Sequence, residues 1–190
     1  SNGKTTTKEL IAAILAEKHQ VVKTEKNFNN EIGLPLTLFK IDSTTEAVVV
    51  EMGMRGRGQI GYLADLARPT IGVVTNVGLT HLELLGTQAA IAQAKAELIQ
   101  ALPPSGLAVL NGDDPFVAKM AGAFPGKSLF FSLEKNCSYT QEAPAIFAVA
   151  TMTEGESEKV ITDGSWGKFG FTLPLLGHHN IANALAAAIV

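Results

Sequence analysis

The chain opens SNGKTTTKELIAAIL (residues 1–15), and the reading of that stretch decides the fold. Gly3-Lys4-Thr5 stands at the mouth of a run with apolar residues at Leu10, Ile11, Ile14 and Leu15, the spacing of a helix with one buried stripe. Glycine, lysine and a hydroxyl residue at a helix start form the core of a phosphate-binding loop. Backbone N–H groups cradle phosphate oxygens, Lys4 neutralises the terminal phosphates, and the Thr5 hydroxyl ligates Mg²⁺. The full pattern G-x-x-x-x-G-K-[ST] asks for a further glycine upstream of Ser1 and a strand to feed the loop. GKT alone would equally be a polar helix start. The amphipathic run behind it favours phosphate.

Working outward from that helix (4–18), short apolar strands alternate with helical spacing. QVVKT (20–24), AVVVEM (47–52), TIGVVTNV (70–77), LAVLN (107–111) and SLFFS (128–132) read as strands. PLTLFKI (35–41), GQIGYLADLA (58–67), TQAAIAQAKAELIQAL (87–102) and PFVAKMAGAF (115–124) read as helices. AVVVEM is a continuous apolar run, which predicts a strand buried on both faces. After Ser132 the character changes. Segments 138–153, 157–163 and 168–174 read as strands joined by Gly, Asp and Ser turns, and 177–190 begins a helix. The expectation is an α/β fold: a P-loop-type, mostly parallel sheet with helices on both faces, plus a small antiparallel β subsheet in the last third.

Composition narrows the classes of function. With 46% hydrophobic and 17% charged residues, 190 residues should form a globular core. A net charge of −3 gives no electrostatic case for nucleic acid or an anionic membrane surface. No apolar run approaches the ~20 residues of a membrane helix. Cys137 is the sole cysteine, which excludes an internal disulfide and fits a reducing, cytoplasmic setting; its neighbours KNCSY suggest an inert thiol.

The remaining chemistry gathers at predicted strand ends, where α/β sheets bind ligands. Glu51 ends AVVVE and could hold Mg²⁺ or its water beside a γ-phosphate; the plain alternative is a solvated strand-end acid. Asn76 follows the next strand, and His81 lies five residues on, as a metal ligand or a structural hydrogen-bonder. LNGDDP sets Asn111, Asp113 and Asp114 at a third strand end, where the acids could simply cap the following helix. Lys95 sits mid-helix in AQAKAEL, where most lysines are solvated.

SNGKTTT, the acid of VVVEMG, TNVGLTHLELLG, AKAEL, LNGDDP and GHHNIANALAA occur in this order across nearly the whole chain. Together they resemble the central, ATP-binding domain of the Mur ligases. The resemblance implies ATP as nucleotide, held by Asn2, Gly3, Lys4, Thr5 and Thr6, with Asn180 and Asn183 beside the adenine. It implies two Mg²⁺ sites, one at Thr5 and one served by Glu51 and His81. Lys4, His81 and Lys95 would be catalytic, and Lys95 matches a family lysine that is carbamylated.

TEKNFNNEIGLPLTL and EMGMRGRGQIGYLA narrow the resemblance to members that join D-Ala-D-Ala to UDP-N-acetylmuramoyl-tripeptide, with Asn27, Asn29 and Asn30 facing the tripeptide or forming a solvated turn. On this reading 1–190 is the central domain of a longer enzyme. An N-terminal domain would bind the UDP part of the substrate, and a C-terminal Rossmann-like domain would close over ATP. The piece alone is expected to lack ligase activity and to bind ATP weakly. Two other readings stay open: a ligase of the same superfamily with another amine or acceptor, including the folylpolyglutamate type, and a non-catalytic P-loop module, which would need neither His81 nor Lys95. A truncated, inactive product is a third.

Overall fold

The computed structural model describes residues 2–80, 82–135 and 145–190. Helix α1 (Lys4–Ala16) leads into β1 (Val21–Lys23), α2 (Gly33–Leu38), β2 (Ala47–Val49) and α3 (Gln59–Ala67). β3 (Ile71–Val74), the short α4 (Leu82–Leu85), α5 (Gln88–Gln100), β4 (Leu107–Asn111) and α6 (Pro115–Ala118) follow. The chain then runs through β5 (Lys127–Ser132), β6 (Ile146–Glu154), β7 (Ser157–Gly164) and β8 (Phe169–Leu173) to α7 (His178–Ile189).

The strands form a six-stranded sheet in the order β3-β4-β5-β6-β7-β8 and a separate two-stranded parallel sheet, β1-β2. β3, β4 and β5 are parallel, and β6 joins β5 in parallel through Phe131–Ile146 and Ser132–Phe147. β6, β7 and β8 are antiparallel, so the expected subsheet extends the main one. Strand alternation makes the two cores. On β4, Ala108 and Leu110 pack with Val74, Ile91 and Ile99 on the α5 side, whereas Val109 packs with Ile181 and Leu185 of α7 on the other. Among the described residues no helix is long and apolar enough to cross a membrane.

Four expectations need correction. The strands of the first two-thirds do not share one sheet, because β2 pairs only with β1 and β3 only with β4 among the described residues. The AVVVEM run is correspondingly not buried on both faces: β2 is limited to Ala47–Val49, and Val48 is 39% exposed. Its free edge borders an apolar cleft of about 500 Å³ lined by Ile11, Val48, Val50, Ile71 and Val73. Helix α2 begins at Gly33, two residues before Pro35, because the Asn30 side chain takes the Gly33 N–H at 2.8 Å and starts the turn there. The 115–124 helix is four α-helical residues followed by a 3₁₀ turn, Lys119–Ala123. Part of the predicted 138–153 strand, and Cys137, lie outside the described residues.

Candidate active site

Two strand ends and one helix start converge on the C-terminal side of the sheets. Gly3 precedes α1 with φ +90, a left-handed conformation that glycine takes without steric cost. A Cβ there would stand 2.4 Å from Asn183 Oδ1, so the loop lies flush against α7. Among the described residues the N-cap Gly3 supplies no side-chain cap to α1, and the positive end of the helix dipole stands at this turn, as an anion site requires.

Thr5 Oγ1 donates to Glu51 Oε2 at 2.7 Å, joining the GKT turn to the end of β2. Asn29 Nδ2 donates to the other carboxylate oxygen, Glu51 Oε1, at 2.7 Å. Glu51 is only 5% exposed, so this is no solvated strand-end acid. Its backbone N–H donates to Thr24 Oγ1 at 3.0 Å, and Thr24 N–H in turn donates to the Val49 carbonyl at 3.0 Å. The buried Lys8 donates to the Thr24 carbonyl at 2.7 Å and ties that strand end to α1. Gly53 leaves room for the Asn29 amide, since a Cβ would meet Asn29 Oδ1 at 2.7 Å.

The loop's other flank rests on β3. Asn76 Nδ2 donates to the Asn2 carbonyl at 2.8 Å, with Thr75 Oγ1 at 3.4 Å from the same oxygen. Lys95, on α5, reaches this strand end and donates to the Asn76 carbonyl. Burial, and then the nearby Lys4 cation, push the Lys95 ammonium down to about 8; Asp114 opposes them. Lys4, Glu51, Thr75 and Lys95 line the polar end of the cleft between β2 and β3.

The predicted residues therefore divide. Asn2, Gly3, Lys4, Thr5, Glu51 and Lys95 share one site; Thr6 lies in the same first turn of α1. Asn183 is buried against Gly3, and its amide donates to Asn180 Oδ1 at 3.3 Å. Of the asparagine cluster, Asn29 turns to Glu51, Asn30 starts α2, and Asn27 is exposed. His81 lies outside the described residues. The sequence reading missed Thr24 and Lys8; Thr24, a hydroxyl residue directly after the strand VVK, was the available signal.

Among the described residues no group of three or more His, Cys, Asp or Glu side chains could hold a metal. Oxygen donors at Thr5 and Glu51 nevertheless suit Mg²⁺, which keeps most of its shell as water and phosphate and needs only one or two protein ligands.

A family model described as the Mur ligase middle domain matches residues 1–190. The chain belongs to the Mur ligase middle-domain family. This Mur ligase domain is 46% identical over 188 residues to the UDP-N-acetylmuramoyl-tripeptide--D-alanyl-D-alanine ligase of Synechocystis sp., covering 98% of the chain and 38% of that protein. The Bacillus subtilis ligase of the same name is 37% identical, with 98% of the chain and 38% of the relative covered. The domain thus spans well under half the length of these relatives. A crystal structure of the Thermotoga maritima MurF ligase in complex with ADP superposes with a TM-score of 0.86 at 29% identity, covering 100% of the chain and 43% of that structure.

Proposed function

We propose that this Mur ligase domain is the ATP-binding centre of an amide ligase that joins D-Ala-D-Ala to UDP-N-acetylmuramoyl-tripeptide, in the cytoplasm, for peptidoglycan precursor synthesis. The observation that carries the ATP-dependent chemistry is the Thr5–Glu51 hydrogen bond, which brings a phosphate-loop hydroxyl and a buried carboxylate to one point. The choice of substrates rests on the relatives named for that reaction. The Thermotoga maritima MurF structure, solved in complex with ADP, supports nucleotide binding.

In this reading the first-turn N–H groups of α1 and Lys4 hold the β- and γ-phosphates. The tripeptide carboxylate attacks the γ-phosphorus, ADP leaves, and an acyl phosphate forms. The amine of D-Ala-D-Ala adds to the acyl carbon, and the tetrahedral intermediate expels phosphate to leave the amide. Mg²⁺ held at Thr5, Glu51 and His81 would supply charge neutralisation at the transferring phosphoryl group. Glu51 is kept in place by Thr24 and Asn29, so it costs little reorganisation during the reaction. Asn180 and Asn183 would border the adenine, and Asn27 would face the tripeptide.

Lys95 would act as its carbamate. The neutral amine attacks CO₂, an N–C bond forms, and a proton is released, turning a cation into a carboxylate. Lys4 and Lys95 are like charges at one site, and a Lys95 carbamate would make that pair attractive. The carbamate retains one N–H, which can still donate to the Asn76 carbonyl.

We propose further that the domain is the centre of a longer enzyme, with its phosphate loop fed by an extended strand seated between β2 and β3. Asn2 is anchored to the end of β3 and Thr5 to the acid that ends the β2 run, so both strands point their C-terminal ends at the loop. An apolar cleft lies between their edges, which are unpaired among the described residues. Amide hydrogen exchange at β2 and β3 is expected to slow at least about tenfold when residues upstream of Ser1 are present. Equal exchange in the two lengths would remove the strand from the cleft.

Phosphate release from ATP by the full-length ligase tests the function directly. Release should require UDP-N-acetylmuramoyl-tripeptide and D-Ala-D-Ala together. Release that ignores D-Ala-D-Ala but follows another amine would move the enzyme within its superfamily, and release without either substrate would replace the ligase reading.

A further inference from the structure

The Thr75–Val77 segment is held from four directions, and the nucleotide chemistry proposed above uses only one of them. Asn111 Nδ2 donates to the Thr75 carbonyl at 2.8 Å, Lys95 donates to the Asn76 carbonyl, and Gln88 Nε2 donates to the Val77 carbonyl at 2.7 Å. The Val77 N–H donates to Asp114 Oδ2 at 2.7 Å. The other oxygen, Asp114 Oδ1, accepts from Phe116 and Val117 at 2.9 and 3.1 Å and caps α6. The carboxylate thus spans two elements, and one of its oxygens fixes the turn from which Asn76 reaches the Asn2 carbonyl.

We propose that Asp114 is a positioning residue for the phosphate loop, acting through Val77 and Asn76. Resting on the nucleotide reading of that loop, it assigns to the second acid of LNGDDP a part in ATP binding beyond helix capping. Asp114 must be a carboxylate because both of its oxygens face N–H donors. An asparagine has one oxygen, and whichever way it turns its NH₂ faces a donor. The neighbouring Asp113 differs. It accepts from the Ser132 hydroxyl and from the Leu133 N–H at 2.7 Å. An asparagine there can still accept from Leu133 and donate to the hydroxyl, which turns to accept.

The test uses the intact ligase and the variants Asp114→Asn, Asn76→Ala, their double mutant and Asp113→Asn, with ATP affinity and amide exchange of residues 3–6 read on each. Asp114→Asn is expected to weaken ATP binding about tenfold and to speed exchange in the loop. The double mutant should bind ATP no worse than the weaker single variant, because both act on one chain of contacts. Asp113→Asn should bind as wild type. A lower melting temperature with unchanged ATP affinity and loop exchange would make Asp114 a helix cap only. Additive losses in the double mutant would also overturn the proposal. If the wild-type ligase fails to bind ATP, the nucleotide reading falls, and loop exchange in Asp114→Asn still decides whether Asp114 positions the loop.

Discussion

Glu51→Gln is expected to lower the rate of substrate-dependent phosphate release by about 10³-fold while leaving the fold intact, the size of effect seen when a preorganised electrostatic group is lost. Glutamine keeps the volume and an oxygen for Asn29 Nδ2, and its amide can donate to Thr5 Oγ1, whose hydroxyl turns to accept. Packing is therefore conserved and only the charge is removed. At 5% exposure, that charge acts where solvent screens it little. The loss should be largest at low Mg²⁺ and shrink as Mg²⁺ is raised, because on the proposed reading the missing carboxylate would be a ligand. Rates measured across a Mg²⁺ series, with the melting temperature as a check on folding, decide it. A variant within about threefold of wild type at every Mg²⁺ concentration would take Glu51 out of the chemistry and leave it a tether between β2 and α1.

Lys95→Ala should cost a similar factor, about 10³, and here the identity of the replacement separates two roles. If Lys95 serves as an ammonium, Lys95→Arg retains much of the activity. If it serves as a carbamate, arginine is as inactive as alanine, and short carboxylic acids added to Lys95→Ala restore part of the rate by filling the vacated space. The lowered Lys95 pKa makes the carbamate accessible. With a value of about 8, roughly a tenth of the amine is neutral at pH 7, against about one part in 3,000 for an unperturbed lysine. Carbamylation consumes neutral amine and releases a proton, so raising the pH favours the carbamate and acid reverses it. Enzyme kept in ¹³C-bicarbonate should show a carbamate carbon resonance that fades, with activity, as the pH falls below neutrality. The absence of that resonance in active enzyme, together with an active Lys95→Arg, would return Lys95 to a cationic role.

Much of the site was legible because its markers are local. GKT before a helical stripe needs three residues and a periodicity, and Gly3 does take a left-handed conformation directly before α1. Glu51 was legible because an acid ending an apolar run is conspicuous wherever the run goes. Other distinctions were not legible, because geometry at a distance decides them. Asn27, Asn29 and Asn30 look equivalent in NFNN, yet the fold sends one to Glu51, one to the start of α2 and one to solvent. Asp113 and Asp114 are adjacent acids in sequence, but one is bonded to the end of β5 and the other to the turn after β3. Thr24 and Lys8 carry no motif and gain importance only by being buried beneath Glu51.

By itself the sequence determined the order of the elements apart from the short α4, the GKT turn at the start of α1 and the switch to antiparallel strands in the last third. Those features follow from side-chain periods of 3.6 and 2 residues and from turn chemistry, which act over one or two turns of chain. Only the tertiary structure decided that β2 leaves its edge open to a cleft, that Asn29 supports Glu51, and that Asn76 holds the carbonyl of Asn2. These contacts join residues 22 and 74 positions apart. They exist because separate strands end at the same side of their sheets, and no local pattern records where two distant strands will end beside each other.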